Sequence, residues 1–491
     1  MSVLAGFTAC DMDKLPFDKI EANESLQTLA DCKAFRNDLY ADFRNSLYNY
    51  LLNVEISADG FNPVVGYSNS YGGNYRWELE ASDASGNWQD NYYIIANANL
   101  MIETIPSLME TATEEERAQM NEYMGEAYFA RALAHFDLTL KYCKDYEPSS
   151  AASDLGVPVL TKYVPSADAS TYPARSTMEE TYKQIVSDLG KATDMITTPG
   201  EVCSNYVTVD VVKALKARVA LQMHDWATAS SMAKSLIDEG KYSLISDKAE
   251  YRDMWVNDNG TETIWQTYMD ITEKASASGI GNYLIADTDG KWELFKPDYI
   301  PESGILDAYD KENDIRFDAY FSKERLNTGI GEVELYLCHK YPGNPDTYTG
   351  KTTYYNMQKV FRISEMYLIA AEAYANAGDN ESASKMLNDL RKKRIANWVD
   401  TDYTGSALMS EIQQERWKEL FCEGYRIMDL KRWNVAMKRT PAQDKNYIVL
   451  PDAPNGEKMV KEAGDYRFVW PIPQAEIDAN PQIRDQQNPG Y

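Results

Sequence analysis

The sequence lacks most of the features that assign enzymatic chemistry directly. Among its 491 residues there are only three histidines, His135, His224 and His339, and they lie far apart. The motifs HxxxH, GxSxG and GxGxxG do not occur. Their absence means that the sequence gives no support to a zincin protease, an α/β-hydrolase or a dinucleotide-binding enzyme. The sequence therefore predicts no catalytic residue, no cofactor and no metal site.

Basic residues and long apolar runs are also scarce. Acidic residues outnumber basic ones by 76 to 49, a formal net charge of −27, which disfavours binding to nucleic acid or to anionic lipid headgroups. No run of 18 apolar residues occurs, so no transmembrane helix is predicted. The six cysteines include no CxxC pair, which gives little support to a disulfide framework or a zinc site.

The first ten residues, MSVLAGFTAC, differ from the rest of the chain. They are uncharged and mostly small and apolar, and Cys10 is followed by acidic residues, as at the end of a lipoprotein export signal. Residues 1–9 are therefore predicted to be the remnant of such a signal, with Cys10 as the acylated anchor residue. The alternative is an unstructured start with one free cysteine, because no basic residue precedes the stretch and Phe7 replaces the usual leucine.

Helical patterns dominate several regions. Apolar residues recur at spacings of three and four over residues 88–109. Thr113 with Glu116 predicts a capping box before the helix of residues 123–143, and Ser176 with Glu179 predicts another.

Two later segments share one plan. Residues 208–240 read as two helices broken at His224-Asp225, and residues 364–394 read as two helices broken at Gly378-Asp379. Both are rich in alanine, which lets neighbouring helices approach closely. Units of about 34 residues with this plan are typical of tetratricopeptide repeats.

Between the helical blocks lie aromatic, loop-rich segments near residues 52–87 and 250–357, with one predicted strand at Glu332 to Lys340. The chain holds 35 Tyr and 10 Trp, side chains that suit exposed contact surfaces because they join an apolar face to a polar group. Long loops in a compact protein are usually functional or disordered, and the aromatic content argues against disorder.

A carbohydrate site needs flat apolar plates edged by polar groups, and both loop segments offer them. If residues 74–79 are extended, Tyr75 and Trp77 project to the same side. The alternative for every ring is that it packs inside the irregular half. The predicted ligand-binding residues are Tyr71, Asn74, Tyr75, Trp77 and Asp83 in the first segment, and Tyr283 and Trp292 in the second.

Residues 415–434, ERWKELFCEGYRIMDLKRWN, alternate charged with large apolar side chains. On one helix, Arg416 and Glu419, Glu423 and Arg426, and Asp429 and Arg432 would each be paired at a spacing of three. A glycosidase needs two carboxyl groups about 5 to 9 Å apart, one of them with a raised pKa. Here every carboxylate has a basic neighbour within a turn, which lowers its pKa, so a structural role is favoured over a catalytic one.

Seven segments, in this order, resemble the SusD/RagB family of outer-membrane nutrient-binding lipoproteins. They are CDMDKLPFDKI, GEAYFARALAHFDLTLKY with LGVPVLTKYVP, PARSTMEETYKQIVSDLGKA, YVTVDVVKALKARVALQMHDWATAS, FRISEMYLIAAEAYANAG with LNDLRKKR, ERWKELFCEGYRIMDLKRWN and VWPIPQAEIDANPQIRDQQNPGY. The resemblance implies a mainly α fold. In it, four tetratricopeptide-like helix pairs pack against a loop-rich irregular half with short strands, and residues 10–491 form a single domain.

The resemblance also implies a function. Members of this family sit on the cell surface, bind glycans or other nutrients, and cap a SusC-like TonB-dependent outer-membrane transporter. We therefore expect a lipid-anchored, non-enzymatic protein of the outer membrane that binds a neutral glycan. Two alternatives stay open: a platform for peptide or another non-sugar nutrient on the same type of transporter, and a surface hydrolase.

Overall fold

The computed structural model describes residues 25–440, 442–449 and 459–491. The predicted signal remnant and Cys10 lie outside the described residues. Within those residues, no helix combines the length and apolar character needed to cross a bilayer.

The chain is mainly helical, as predicted, with a few short strands. The helices are α1 Leu29–Tyr48, α2 Leu51–Ile56, α3 Gly72–Arg76, α4 Ser85–Met109, α5 Glu114–Tyr142, α6 Met178–Met195, α7 Val209–Gln222, α8 Trp226–Asp238, α9 Lys248–Val256, α10 Gly281–Leu284, α11 Ser303–Asp307, α12 Ile315–Tyr320, α13 Ile363–Asn376, α14 Asn380–Arg394, α15 Gly405–Glu419, α16 Arg426–Arg432 and α17 Gln474–Ala479.

The strands form two-stranded antiparallel sheets among the described residues. They are β1 Phe61–Pro63 with β3 Tyr299–Pro301, β2 Thr263–Gln266 with β6 Lys359–Arg362, β4 Phe321–Thr328 with β5 Gly331–Cys338, and β7 Met437–Lys438 with β8 Val460–Lys461. The predicted strand at residues 332–340 is β5, which forms a hairpin with β4.

Local sequence signals explain the helix starts. The Thr113 hydroxyl accepts from the backbone N–H of Glu116, whose carboxylate accepts in return from the N–H of Thr113, so the predicted capping box of α5 is confirmed. The second predicted box is wrong by one residue. It uses Thr177 and Glu180, because the backbone N–H of Ser176 bonds to the Val157 carbonyl.

The two predicted helix pairs are neighbours in space although more than a hundred residues separate them in sequence. Helix α8 of the first pair packs against α13 of the second, and α13 also packs against α14 and α15. Helices α1, α4, α5 and α6 continue the same helical half. The second loop-rich segment, near residues 250–357, is thus inserted between two helix pairs that pack together.

The segment of residues 415–434 is not one continuous helix. Helix α15 ends at Glu419, Cys422 and Gly424 adopt positive φ values of 59° and 88°, and α16 begins at Arg426. Because the helix is broken here, two of the three predicted ion pairs have different partners. Arg416 pairs with Asp429 instead of Glu419, Arg426 pairs with Asp59 instead of Glu423, and the predicted pair of Asp429 with Arg432 is present.

Candidate functional site

The first predicted loop folds differently from the expectation. Residues Gly72–Arg76 form the short helix α3, flanked by Tyr71 and Trp77 with positive φ values of 58° and 56°. The extended conformation assumed for residues 74–79 is therefore wrong, and Tyr75 and Trp77 do not alternate along a strand.

Tyr75 and Trp77 are buried in the loop-rich half, with 1% and 9% of their surface exposed. The Tyr75 hydroxyl accepts from the Asn62 amide at 3.2 Å, and the Trp77 indole N–H donates to the Ser57 carbonyl at 2.9 Å. The Arg439 guanidinium lies 3.9 Å from the centre of the Tyr75 ring and 4.6 Å from that of Trp77. Such cation–π contacts hold the rings in the interior, so they are not solvent-facing plates in this structure.

Tyr71 and Tyr283, one from each predicted loop, meet directly. Their ring centres lie 5.1 Å apart with planes inclined at 79°, the edge-to-face arrangement that aromatic pairs favour. Both side chains are half-buried. Burial, and then the neighbouring Tyr283, raise the pKa of Tyr71, so its hydroxyl stays neutral and can both donate and accept hydrogen bonds.

Polar side chains lie next to Tyr71 in the same loop, since Asn69 and Arg76 meet beside Gly72. Arg76 donates to the Tyr67 hydroxyl at 3.1 Å and to the Asn69 side-chain oxygen at 3.0 Å. It also donates to Glu78 at 2.7 Å, and its side chain is 30% exposed. The guanidinium is thus fixed in orientation while part of it still faces solvent.

A further tyrosine, which the sequence reasoning missed, lies near Tyr283: burial, and then Tyr283, raise the pKa of Tyr355. Tyr355 is half-buried, its hydroxyl donates to the Ala277 carbonyl at 2.8 Å, and the Lys274 ammonium lies 5.4 Å from the centre of its ring. The available signal was the polar, aromatic stretch TTYYN. We define the tyrosine surface as Tyr67, Asn69, Tyr71, Arg76, Tyr283 and Tyr355.

Trp292 belongs to a separate ring cluster. It is 36% exposed, and its ring contacts are with Phe295, His339 and Tyr354 at centre distances of 6.0, 6.2 and 6.3 Å. Burial lowers the pKa of His339 to about 3, so that ring is neutral and acts as an apolar neighbour. Trp292 therefore offers a second exposed plate that makes no ring contact with Tyr71 or Tyr283.

The two polar residues predicted for the first loop differ in accessibility. The Asn74 side-chain oxygen accepts from the Asn53 amide at 3.2 Å, and Asn74 is half-buried. Asp83 is exposed. Ligand contact at both positions stays a prediction.

The carboxylates of residues 415–434 form a buried ion network. Glu419 is fully buried and accepts from Arg316, Arg362 and Arg394 at 2.9 to 3.0 Å. Burial opposes its ionisation, but the charges of Arg394 and Arg362 outweigh burial and hold its pKa well below the usual range. Glu419 therefore stays ionised and lacks the raised pKa that a general acid needs.

Comparisons with known proteins agree with this architecture. A family model described as "SusD family" matches residues 321–491, and one described as "Starch-binding associating with outer membrane" matches residues 25–221. SusD-like protein P38 of Formosa agariphila is 26% identical over 454 residues, which cover 84% of this chain and 81% of P38.

Solved structures are similar over nearly the whole chain. A SusD superfamily protein of Bacteroides thetaiotaomicron VPI-5482 has a TM-score of 0.79 and 29% identity, covering 94% of this chain and all of that one. A Bacteroides vulgatus ATCC 8482 protein whose name proposes sugar binding has a TM-score of 0.77 and 26% identity, covering 95% of this chain and 99% of that one. This chain belongs to the SusD/RagB family.

Proposed function

We propose that this protein is a cell-surface lipoprotein that binds oligosaccharide or polysaccharide and delivers it to a SusC-like TonB-dependent transporter. Membership of the SusD/RagB family supports the proposal, as do the starch-binding, outer-membrane description of the matching family model and the sugar-binding name of one solved relative. Lipidation of Cys10 would provide the membrane anchor.

The observation that carries the sugar proposal is the Tyr71–Tyr283 pair at the junction of the two loops. A pyranose ring presents C–H patches that pack on an aromatic face, and hydroxyl groups that need polar partners at its edge. The tyrosine surface supplies rings, phenol hydroxyls, an amide and one partly exposed guanidinium. The proposed ligand is a neutral glycan, because the net charge of −27 repels polyanions.

The proposed role is binding without chemical transformation. Glu419 and Glu415 have no exposed surface and are paired with arginines, so a substrate does not reach them in this structure. A hydrolase would release reducing ends from some polysaccharide. We expect no released reducing ends when the purified protein is incubated with starch, other α-glucans, β-glucans or mannans.

Native affinity electrophoresis against starch, other α-glucans, β-glucans and mannans tests the proposal. Migration of the wild type should be retarded by at least one glycan, and Tyr71→Ala and Tyr283→Ala should abolish the retardation. Tyr93→Ala is the matched control, since Tyr93 is 55% exposed on α4 of the helical half. Trp292→Ala tests the second plate separately.

Two results would overturn the proposed site or ligand. Retardation lost with Tyr93→Ala but kept with Tyr71→Ala and Tyr283→Ala would move the site to the helical half. Binding of peptides, with no glycan bound by the wild type, would favour the peptide platform. The anchor has its own test, because Cys10→Ala should move the protein from the membrane fraction to the soluble fraction.

A further inference from the structure

A mixed cluster of metal-ligand side chains lies in the helical half, away from the tyrosine surface. Asp145 and Glu147 follow the end of α5, and His224 occupies the turn between α7 and α8. One ligand atom from each of the three residues lies within 4.8 Å of the other two. The sequence hid this cluster because 77 residues separate Glu147 from His224.

The Asp145 carboxylate has one oxygen that is hydrogen-bonded and one that faces only the His224 ring. Its Oδ1 accepts from the Gln222 amide at 2.7 Å. Its Oδ2 is buried, makes no hydrogen bond, and lies 3.5 Å from Nε2 of His224. A buried carboxylate oxygen without a hydrogen bond is costly, and a cation bound between Oδ2 and Nε2 would offset that cost.

The position of the His224 ring is also fixed. The residue has a positive φ of 59°, which is uncommon for a non-glycine residue. Its ring stacks on Trp226 with a centre distance of 5.0 Å and an interplanar angle of 14°. Nε2 is consequently held towards Asp145 while the side chain keeps 20% of its surface exposed.

We propose that Asp145, Glu147 and His224 form a Zn²⁺ site with water as the fourth ligand. Zinc binds imidazole nitrogen and carboxylate oxygen at about 2.0 to 2.2 Å in tetrahedral sites, so neighbouring ligand atoms should lie about 3.4 Å apart. The separation of Asp145 Oδ2 from His224 Nε2, 3.5 Å, is close to this value. Glu147 is exposed, so its side chain is free to rotate towards the site.

The local charges suit a divalent cation. Two carboxylates and a neutral imidazole balance the two positive charges of Zn²⁺. The nearby buried ammonium of Lys431 is directed to the carbonyl oxygens of Leu140 and Cys143. Zinc bound here would link the end of α5 to the turn of the α7–α8 pair. Gln222 would act as a positioning residue, because it holds the Asp145 carboxylate in place.

Titration of tag-free, full-length protein with ZnCl₂ tests the proposal, with histidine side chains followed by selective ¹³C labelling and NMR. Only three histidine signals are expected, and His135 and His339 are buried. The wild type should bind one equivalent of Zn²⁺, shift one histidine signal and unfold at a higher temperature. His224→Gln and Glu147→Gln should both lose this step, and Gln222→Leu should weaken it about 10–100-fold.

Glu115→Gln is the charge-matched control, since Glu115 is an exposed acid in the first turn of α5, and it should bind zinc like the wild type. Glu147 is exposed, so its variant should fold even if His224→Gln does not. Absence of a one-equivalent step in the wild type, or unchanged binding in Glu147→Gln, would overturn the site. Neither result bears on glycan binding.

Discussion

Alanine lines much of the interior of the helical half, whereas tyrosine, phenylalanine and paired charges line the loop-rich half. Fully buried alanines recur through the helix pairs, among them Ala217, Ala229, Ala233, Ala370 and Ala371. The core of the loop-rich half is built from rings, among them Tyr251, Tyr299, Tyr320, Tyr341 and Phe421. Small side chains let helices approach closely, and large rings fill the wider gaps between irregular loops.

The tyrosines of the loop-rich half also hydrogen-bond to main-chain carbonyl groups that no helix or sheet satisfies. The hydroxyl groups of Tyr299, Tyr309 and Tyr341 donate to the carbonyl oxygens of Ser70, Lys418 and Cys422 at 2.6, 2.7 and 2.9 Å. Many of the 35 tyrosines therefore face inward, contrary to the expectation from composition. A loop-rich core needs side chains that are both apolar and able to bond the backbone.

The largest effect should come from the ion network next to these rings. Glu419→Gln removes the charge that three buried arginines share, and we expect a loss of about 3–5 kcal/mol in the free energy of unfolding, because uncompensated charge would stay buried. Glu411→Gln is the control, since that side chain is 32% exposed and pairs with Arg391, and it should cost about 0–1 kcal/mol. Urea denaturation measures both, and equal losses would contradict the account.

Overpacking at a buried alanine should destabilise the helical half by a different mechanism. Ala370 is fully buried on α13, so Ala370→Leu forces its neighbours apart and should cost about 1–3 kcal/mol. Ala377 follows the same helix and is exposed, so Ala377→Leu should leave the thermal midpoint nearly unchanged. If Ala370→Leu were equally neutral, close packing at alanine would not stabilise this half.

One acid in the helical half, Asp42, has acidic neighbours instead of basic ones and sharpens the contrast with the paired carboxylates. Burial, and then the charge of Asp38, raise the pKa of Asp42 to about 7. The folded pKa exceeds the unfolded value of about 3.9, so the contribution of Asp42 to stability is lost as pH rises from about 4 through 7.

Asp42→Asn should therefore stabilise the protein at pH 8 by about 2 kcal/mol, after a discount for partial exposure, and have little effect at pH 4. The contribution of Glu419 to stability should depend on pH in the opposite direction. Its folded pKa is depressed, so its contribution is present above about pH 4 and is lost at lower pH. Thermal unfolding of the wild type and both variants at pH 2, pH 4 and pH 8 checks both pH dependences: the Asp42→Asn gain should appear between pH 4 and pH 8, and the Glu419→Gln loss should shrink between pH 4 and pH 2. The same pH dependence in both variants would contradict them.

The smallest effect concerns a single helix cap. Thr177→Ala removes the capping hydroxyl of α6 and should cost about 1 kcal/mol. Ser176→Ala is the neighbouring control and should cost close to nothing, because the side chain of Ser176 does not cap the helix. A larger loss of stability for Ser176→Ala than for Thr177→Ala would show instead that Ser176 caps the helix, as the sequence predicted.

The sequence predicted the helical half better than the loops for a physical reason. Caps, alanine content and apolar periodicity are local, so the positions of α4, α5 and the two later pairs followed from nearby residues. The positions of Tyr75 and Trp77 depend on Arg439, more than 360 residues away in sequence, and on left-handed backbone at Tyr71 and Trp77. No local pattern carries that information.

The same limit applies to the candidate site. Sequence composition identified Tyr71 and Tyr283 as candidates, but their contact depends on tertiary packing between two loops about 210 residues apart. The sequence also made Tyr75, Trp77 and Trp292 similar candidates for ligand contact, although only Trp292 among the three is exposed.

A crystal structure of the protein with the glycan selected by the affinity panel tests the central claim most directly. The account predicts a sugar ring in van der Waals contact with Tyr71 or Tyr283, with a hydroxyl group hydrogen-bonded to Asn69 or Arg76, and an unbroken glycosidic bond. A glycan bound only on the helical half, or cleaved in the crystal, would contradict it.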